Sequence, residues 1–256
     1  MKQFTVDDSD LTEVLRRWPN EPGRVNARRI TGRDGRPKIQ VRIDLGVLQM
    51  EMDGRPDGLR PEGFESLLEY QRDRRRRYAA AAGGAEAFVL SPEECRALRE
   101  EAVQYYHRYV GLMAIGEYAA VVRDTTRNLA VFDLCRDCAA QASDRTLLEQ
   151  FRPYVVMMRA RAEAEGALQS GNTRDALAAL DRGLSEIRAV FEETGRGADW
   201  QDANEVQLLR RMREALVPKL PVSQRMELQE RLRAALDAEN YELAAVLRDE
   251  LRLLEE

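Results

Sequence analysis

Helical periodicity runs through most of this chain and constrains its fold more than any other feature. From Pro61 almost to the C-terminal end, apolar residues recur three and four positions apart, as along one face of a helix. One helix start is clear, with Ser91 as N-cap, Pro92 at the first helical position and Glu94 three residues after the serine. We predict that this helix continues to about Ile115. Aromatic residues are only 6% of the chain and charged residues 33%, which favours helices with large polar surfaces over a β-sandwich or barrel.

Two glycines within the helical region mark turns between helices. Gly116 and Gly171 each follow one helical pattern and precede another by one or two residues. The stretch around the second glycine resembles the tetratricopeptide repeat (TPR). The residues that match the small-residue and turn positions of that family are Ala164, Ala167, Gly171, Ala176, Leu180 and Gly183. The resemblance implies a helical-hairpin bundle with a groove for a protein partner.

The spacing of the two glycines departs from a regular TPR array. They lie 55 residues apart, whereas TPR units repeat about every 34 residues. Tyr109 and Asn128 also stand where small residues are usual. We therefore expect a TPR-like bundle, with long helices or an inserted stretch, rather than a regular superhelix. A third hairpin could run from Asp199 through Val217, before the prolines at 218 and 221.

The last 34 residues, 223–256, contain two further helical patterns. In the second, Tyr241, Ala244, Leu247, Leu251 and Leu254 step by 3, 3, 4 and 3 positions and so share one stripe. Asn240 is a suitable N-cap between the two helices, and Leu232 belongs to the first. We predict a helical hairpin that is too small to be stable alone and needs a partner surface.

The run from Tyr241 to Leu251, YELAAVLRDEL, preceded by Leu232 and Ala235, resembles the UVR motif. That motif is the helical hairpin of the bacterial excision-repair proteins UvrB and UvrC, and it occurs in Clp-type chaperones and their adaptors. The resemblance covers about an eighth of the chain and implies a protein-pairing module. We expect the partner-binding residues to be Leu232, Tyr241, Ala244, Leu247, Arg248, Leu251 and Leu254. No helicase or nuclease motif accompanies it, so a repair activity does not carry over.

The N-terminal part of the chain differs in kind. Residues 8–18 suggest a short helix, and then 24–31 and 38–43 alternate apolar and polar residues on either side of an Asp-Gly turn. A further extended piece covers 47–52. We predict a small sheet of two or three strands, whose apolar face needs a cover.

Basic residues are concentrated in the same segment. Between Arg16 and Arg42 there are nine basic residues against two acidic ones. The predicted hairpin could contact phosphates through Arg28, Arg29, Arg33, Arg36, Lys38 and Arg42. The alternative is a solvated face or one that pairs with the acidic remainder, and the hairpin lacks the aromatic residues that stack on bases.

Residue types that carry out catalysis form no complete set. His107 is the single histidine and has no nucleophile or carboxylate pattern beside it. Cys135 and Cys138 form a CxxC on a predicted helix, where two small apolar side chains are the simpler interpretation than zinc or redox chemistry. Asp53 and Asp57 lie in a DGRPDG turn, which explains their residue type without a metal. We expect no enzyme activity, no metal site and no cofactor.

Composition also bears on the setting of the protein. The net charge of −5 argues against a protein coated by nucleic acid. No apolar run is long enough to span a bilayer, and the first ten residues do not read as a signal peptide. Three cysteines at odd spacing suggest no disulfide framework. We therefore expect a cytoplasmic protein with no membrane contact.

These observations predict a mainly α protein: a TPR-like bundle with a small N-terminal β-hairpin or sheet and a C-terminal UVR-like hairpin. The expected segments are 1–60, 61–220 and 221–256. The leading functional hypothesis is a non-enzymatic adaptor that pairs with a protein partner, or with a second copy of itself, through the terminal hairpin. The alternative is a nucleic-acid-binding accessory factor in DNA repair or stress response that uses the Arg-rich hairpin.

Overall fold

The computed structural model describes residues 10–82, 88–217, 222–238 and 240–253. It is mainly helical, with one small three-stranded antiparallel sheet near the N-terminus, which confirms the predicted fold class at this level. The chain divides into two compact units, Met1–Glu149 and Gln150–Glu256. This boundary falls inside the segment 61–220 that the sequence marked as one bundle.

The first unit begins with one short helix and the sheet. Helix α1 covers Thr12–Arg17, and the strands are β1 Asn26–Thr31, β2 Pro37–Ile43 and β3 Gly46–Glu51. The strands pair in the order β1-β2-β3, with Ala27 opposite Val41 and Val41 opposite Leu48. All three strands were predicted from alternation and turn residues to within two residues at each end.

Four helices complete the first unit: α2 Leu67–Ala82, α3 Pro92–Ala114, α4 Tyr118–Cys138 and α5 Ala142–Thr146. The expected capping box at the start of α3 is present, because the Ser91 side chain accepts from the Glu94 backbone and the Glu94 carboxylate accepts from the Ser91 backbone. Gly116 has φ +77° and closes the turn from α3 to α4. Since only glycine adopts such a φ without strain, this turn explains the residue.

The cover that the sheet needs is helix α3. Ile39 and Val41 are buried on the side of β2 that faces it, and they approach its backbone at Gly111. A Cβ on Gly111 would lie 2.5 Å from the Val41 side chain and 3.0 Å from that of Ile39. Glycine at this position therefore permits the close contact of sheet and helix, which neither element signals on its own.

A buried network of charges ties the end of the sheet to α3 and α4. Arg108 and Asp124 are both fully buried and form an ion pair. Glu101, also buried, pairs with Arg55 and Arg127 and accepts a hydrogen bond from the backbone of Leu67 at 2.9 Å. Burial and the charge of Arg55 lower the pKa of the Arg127 guanidinium, although guanidinium groups stay protonated at neutral pH. The network satisfies charges that would otherwise be costly to bury.

The second unit consists of helices. They are α6 Arg152–Gln169, α7 Thr173–Glu193, α8 Asn204–Leu216, α9 Val222–Asp237 and α10 Tyr241–Leu253. Helices α6 and α7 form the hairpin expected around Gly171, which has φ +74°. Asn172 caps α7 by accepting from the backbone N–H of Asp175 at 3.1 Å. A Cβ on Gly183 would lie 2.4 Å from the Cβ of Ala160, so the small residues allow α6 and α7 to pack closely.

The expectation of a third hairpin between Asp199 and Val217 is wrong. The structure has one short 3-10 turn, Trp200–Asp202, followed by the single helix α8, which packs on α7 and α6. Because α8 is one continuous helix of 13 residues, this segment has no second helix with which to form a hairpin. The long spacing of the two glycine turns has both expected causes, since α4 and α6 are long and α5 lies between them. The glycines at 83 and 84 and the prolines at 218 and 221 lie outside the described residues.

Candidate functional site

The terminal hairpin of α9 and α10 has a small core of its own. Leu228 and Ala235 from α9 meet Ala244 and Leu247 from α10, and all four are buried. Leu232 and Leu251 are partly buried against them. The predicted stripe is thus the seam between the two helices, as ridge-and-groove packing of an antiparallel pair requires.

The turn between α9 and α10 follows the sequence prediction. Asn240 accepts a hydrogen bond from the backbone N–H of Leu243 at 3.2 Å, so it is the N-cap of α10. The backbone N–H of Asn240 also donates to the carbonyl of Ala235 at 2.9 Å, which closes the end of α9. These two bonds fix the reversal of the chain.

The residues expected to bind a partner divide into three groups. Tyr241, with 68% of its surface exposed, and Arg248 are available at the surface. Ala244 and Leu247 are buried, because the two helices of the hairpin bury this stripe against each other, so the expectation that Leu247 is exposed is wrong. Leu232 and Leu251 are intermediate. Leu254 lies outside the described residues.

Other apolar side chains of the hairpin are exposed and were not among the predicted partner-binding residues. Leu243 and Val246 on α10 are 41% and 45% exposed, and Leu236 and Met226 on α9 are 49% and 63% exposed. Leu243 and Val246 are three residues apart and therefore share a face of α10 beside the buried seam. A second apolar stripe offset by one position was the signal that could have found them.

Leu243 and Val246 line a cleft of about 400 Å³ that opens between α10 and helix α7. Its apolar lining also includes Leu177 and Ala178 from α7. Charged residues surround this lining; they are Arg174, Asp181, Arg213, Glu227, Arg231 and Glu250. An apolar floor with a charged rim is a common form of protein-binding surface.

Ion pairs cross the second unit beside this cleft. Arg213 pairs with Glu250, and both side chains are largely buried, with 16% and 9% exposed. The same guanidinium donates to Asp181 at 2.6 Å. Two exposed pairs accompany it, Arg174 with Glu227 and Arg188 with Glu242 at 3.5 Å.

On one face of the sheet, three of the six basic residues of the Arg-rich β-hairpin are engaged within the first unit. The Arg28 guanidinium lies 4.0 Å from the centre of the Trp18 ring and donates to Gln40 at 2.9 Å. Arg42 is buried and donates to the backbone carbonyls of Trp18 at 2.9 Å and Gly46 at 3.0 Å. Lys38 is the third.

Lys38 is engaged by two carboxylates. It pairs with Glu51 and with Asp34, the latter at 3.1 Å. The hydrogen bonds that the Lys38 ammonium donates to Glu51 and Asp34 raise its pKa. Two carboxylates therefore already balance the Lys38 charge, and a phosphate would have to compete with them.

The other three hairpin residues do not share a face with the first three. Arg29 points to the opposite side of β1 and pairs with Glu117 at 3.3 Å. Arg33 and Arg36 are exposed at the turn, with Arg36 near Asp34 at 3.9 Å. The six residues thus lie on both faces and at the tip of the sheet rather than in one phosphate-binding row.

The cysteines are buried thiols of the first unit. Cys95, Cys135 and Cys138 are all free and buried. Burial raises the pKa of Cys135 to about 12. Such thiols are poor nucleophiles. Within the described residues, no group of three or more metal-ligating side chains comes together.

Asp53, Asp57 and His107, the remaining candidates for catalysis or metal binding, make contacts that suit a structural role. Asp53 pairs with Arg123 at 2.6 Å, and Asp57 pairs with Arg55 at 3.2 Å. His107 is exposed on α3 beside the ring of Tyr106, with ring centres 5.3 Å apart. None of these arrangements resembles a nucleophile and its base.

In the ranges that the structure describes, no helix combines the length and apolar character needed to cross a bilayer. Comparisons of the chain with protein-family models, with curated proteins and with solved structures found no match.

Proposed function

We propose that this chain is a non-enzymatic adaptor that pairs with a second helical hairpin, of a partner protein or of another copy, through α9 and α10. One observation carries the proposal. The hairpin is closed by its own core, yet Leu243 and Val246 remain substantially exposed along one face of α10. A helix that has already buried one stripe and still presents another suits a partner helix laid along that second stripe.

The resemblance of this hairpin to the UVR motif supports the same function, because that motif is a protein-pairing hairpin. The close α6–α7 packing at Gly183 and Ala160 supports a TPR-like bundle as its scaffold. The free cysteines are in keeping with a reducing compartment, so the proposed setting is the cytoplasm. The proposed function needs no cofactor.

The experiment compares the full chain with a truncation after Pro221 by multi-angle light scattering and by pull-down. We expect the full chain to self-associate or to retain a protein partner, and the truncation to do neither. If both are monomers and the pull-downs are identical, the pairing function is rejected.

A point variant tests the specific face. Leu243→Asp with Val246→Asp places two charges on the proposed contact and should weaken pairing by about tenfold or more, since burying an unpaired charge is costly. Gln229→Asp is the control, because it adds a charge at an exposed polar position of α9. Equal pairing by the control and the double variant would reject this face as the contact.

A further inference from the structure

Among the residues that the structure describes, three ion pairs of the same polarity attach the terminal hairpin to the rest of its unit. In each pair the arginine belongs to α7 or α8 and the glutamate belongs to α9 or α10. We call the three arginines the arginine row; the pairs are Arg174–Glu227, Arg188–Glu242 and Arg213–Glu250. We call the three glutamates the acidic edge of the hairpin; Asp181 on the bundle and Arg231 on the hairpin are the opposite charges in the same rim.

The apolar contacts of the hairpin are arranged differently. Its buried cluster consists of residues from α9 and α10 alone. Leu243 and Val246 face the cleft, where they remain exposed instead of packing tightly against Leu177 and Ala178. The hairpin can therefore leave the bundle with its own core intact, and the three ion pairs oppose its departure.

The position of the cleft limits what can bind there. Leu177 and Ala178 of α7 line it on the side opposite Leu243 and Val246 of α10. A partner helix about 10 Å wide, laid along the 13 residues of α10, would have to occupy the space that α7 now borders.

We propose that the arginine row is a docking surface for the acidic edge of the hairpin and that it acts as a latch. When the hairpin is docked, its Leu243 and Val246 face is turned toward α7 and is not open to a second hairpin. When the hairpin is released, the whole face of α10 that carries Leu243 and Val246 becomes available to the hairpin of a second copy. This inference rests on the proposed pairing function and adds its regulation.

The strongest element of the latch is the pair of Arg213 and Glu250, because both groups are largely buried. The other two pairs are exposed and weaker. Glu250→Arg would place two like charges together at the buried pair. Asp249→Arg is the matched control, because it makes the same charge change on the same helix at an exposed residue whose ion pair is with Arg248.

The latch is measured without reference to pairing, by electron spin resonance between labels at Gln169→Cys and Ala234→Cys in dilute full-length protein. Both positions are exposed, and the native cysteines are buried. We expect one narrow distance distribution in the parent and in Asp249→Arg, and a broad one in Glu250→Arg. Raising the salt to 1 M, where the Debye length is about 3 Å, should screen the two exposed pairs and broaden the parent distribution by less than Glu250→Arg does, because the buried pair is screened less. A distribution unchanged by both Glu250→Arg and salt would overturn the latch.

Pairing is then measured by light scattering of the same proteins. We expect the dissociation constant for self-pairing to fall by about tenfold in Glu250→Arg, because the binding-competent state is no longer a minority. Glu250→Gln, which keeps the shape of the side chain, should give a smaller change in the same direction. If the distance distribution broadens in Glu250→Arg but the dissociation constant for self-pairing does not fall, the regulatory role is overturned. If Leu243→Asp with Val246→Asp pairs as well as the parent, the proposed function fails instead, and the label distances still report the latch.

Discussion

Arg108 and Asp124 form a doubly hydrogen-bonded ion pair in which neither side chain is exposed. The Arg108 Nε lies 2.7 Å from one carboxylate oxygen and Nη2 lies 2.8 Å from the other. The remaining Nη1 donates to the backbone carbonyls of Glu51 at 3.0 Å and Gly54 at 2.7 Å. One guanidinium therefore joins α3, α4 and the end of β3.

This relationship predicts a large effect of Asp124→Asn. The substitution leaves the Arg108 charge buried without its counter-ion, which typically costs about 3–5 kcal/mol of unfolding free energy. Urea unfolding followed by circular dichroism measures it. Asp53→Asn is the control, because Asp53 is 81% exposed in its pair with Arg123 and should cost less than about 1 kcal/mol. Similar losses of unfolding free energy in both variants would show that the buried pair contributes no more to stability than the exposed one.

Gly183→Ala tests the close packing of α6 and α7. Alanine is the better helix former by about 1 kcal/mol, but its Cβ would lie 2.4 Å from the Cβ of Ala160. We expect a net loss of about 1–3 kcal/mol from overpacking, seen as a lower midpoint in thermal or urea unfolding. Ser185→Ala, at an exposed position of α7, should be neutral or slightly stabilising. A Gly183→Ala protein as stable as this control contradicts the packing.

The buried thiol of Cys135 predicts a pH dependence. Its pKa is raised by burial to about 12, while a thiol in the unfolded chain titrates near pH 8.5 or so. The folded state keeps the proton longer, so the stability from this group is fully present below the unfolded pKa and is lost as pH rises toward 12. We expect the urea midpoint to fall between pH 8 and 10 by less in Cys135→Ala than in the parent, relative to each protein at pH 7. Parallel pH profiles would refute this assignment.

The alternative function, contact of the Arg-rich hairpin with nucleic acid, has a simple test. Arg28, Lys38 and Arg42 are engaged within the sheet, so we expect binding to duplex DNA or to RNA to be no tighter than non-specific affinity, about 10⁻⁴ to 10⁻⁶ M. Titrations at two salt concentrations measure this. Tight binding at low salt that is lost in Arg33→Gln with Arg36→Gln would instead support the alternative.

Local signals predicted most of the secondary structure because the residues that cause it are neighbours in sequence. The Ser91–Glu94 capping box, the positive φ of Gly116 and Gly171 and the Asn240 cap are each decided within a few residues. The partner-facing side of the hairpin was harder to predict, because one apolar stripe of a helix has the same sequence pattern whether it packs on the next helix or on a separate protein. Leu247 was expected at the surface and lies in the seam.

The sequence by itself determined that the chain is mainly helical, that a small sheet precedes the helices and that two helices pair at the C-terminal end. Periodicity, caps and turn residues act over short distances and are readable in order. Only the tertiary structure decided which charges are buried together, as in Arg108 with Asp124 and Arg213 with Glu250. Those partners are 16 and 37 residues apart, and nothing local to either residue distinguishes it from the many charged residues that remain in water.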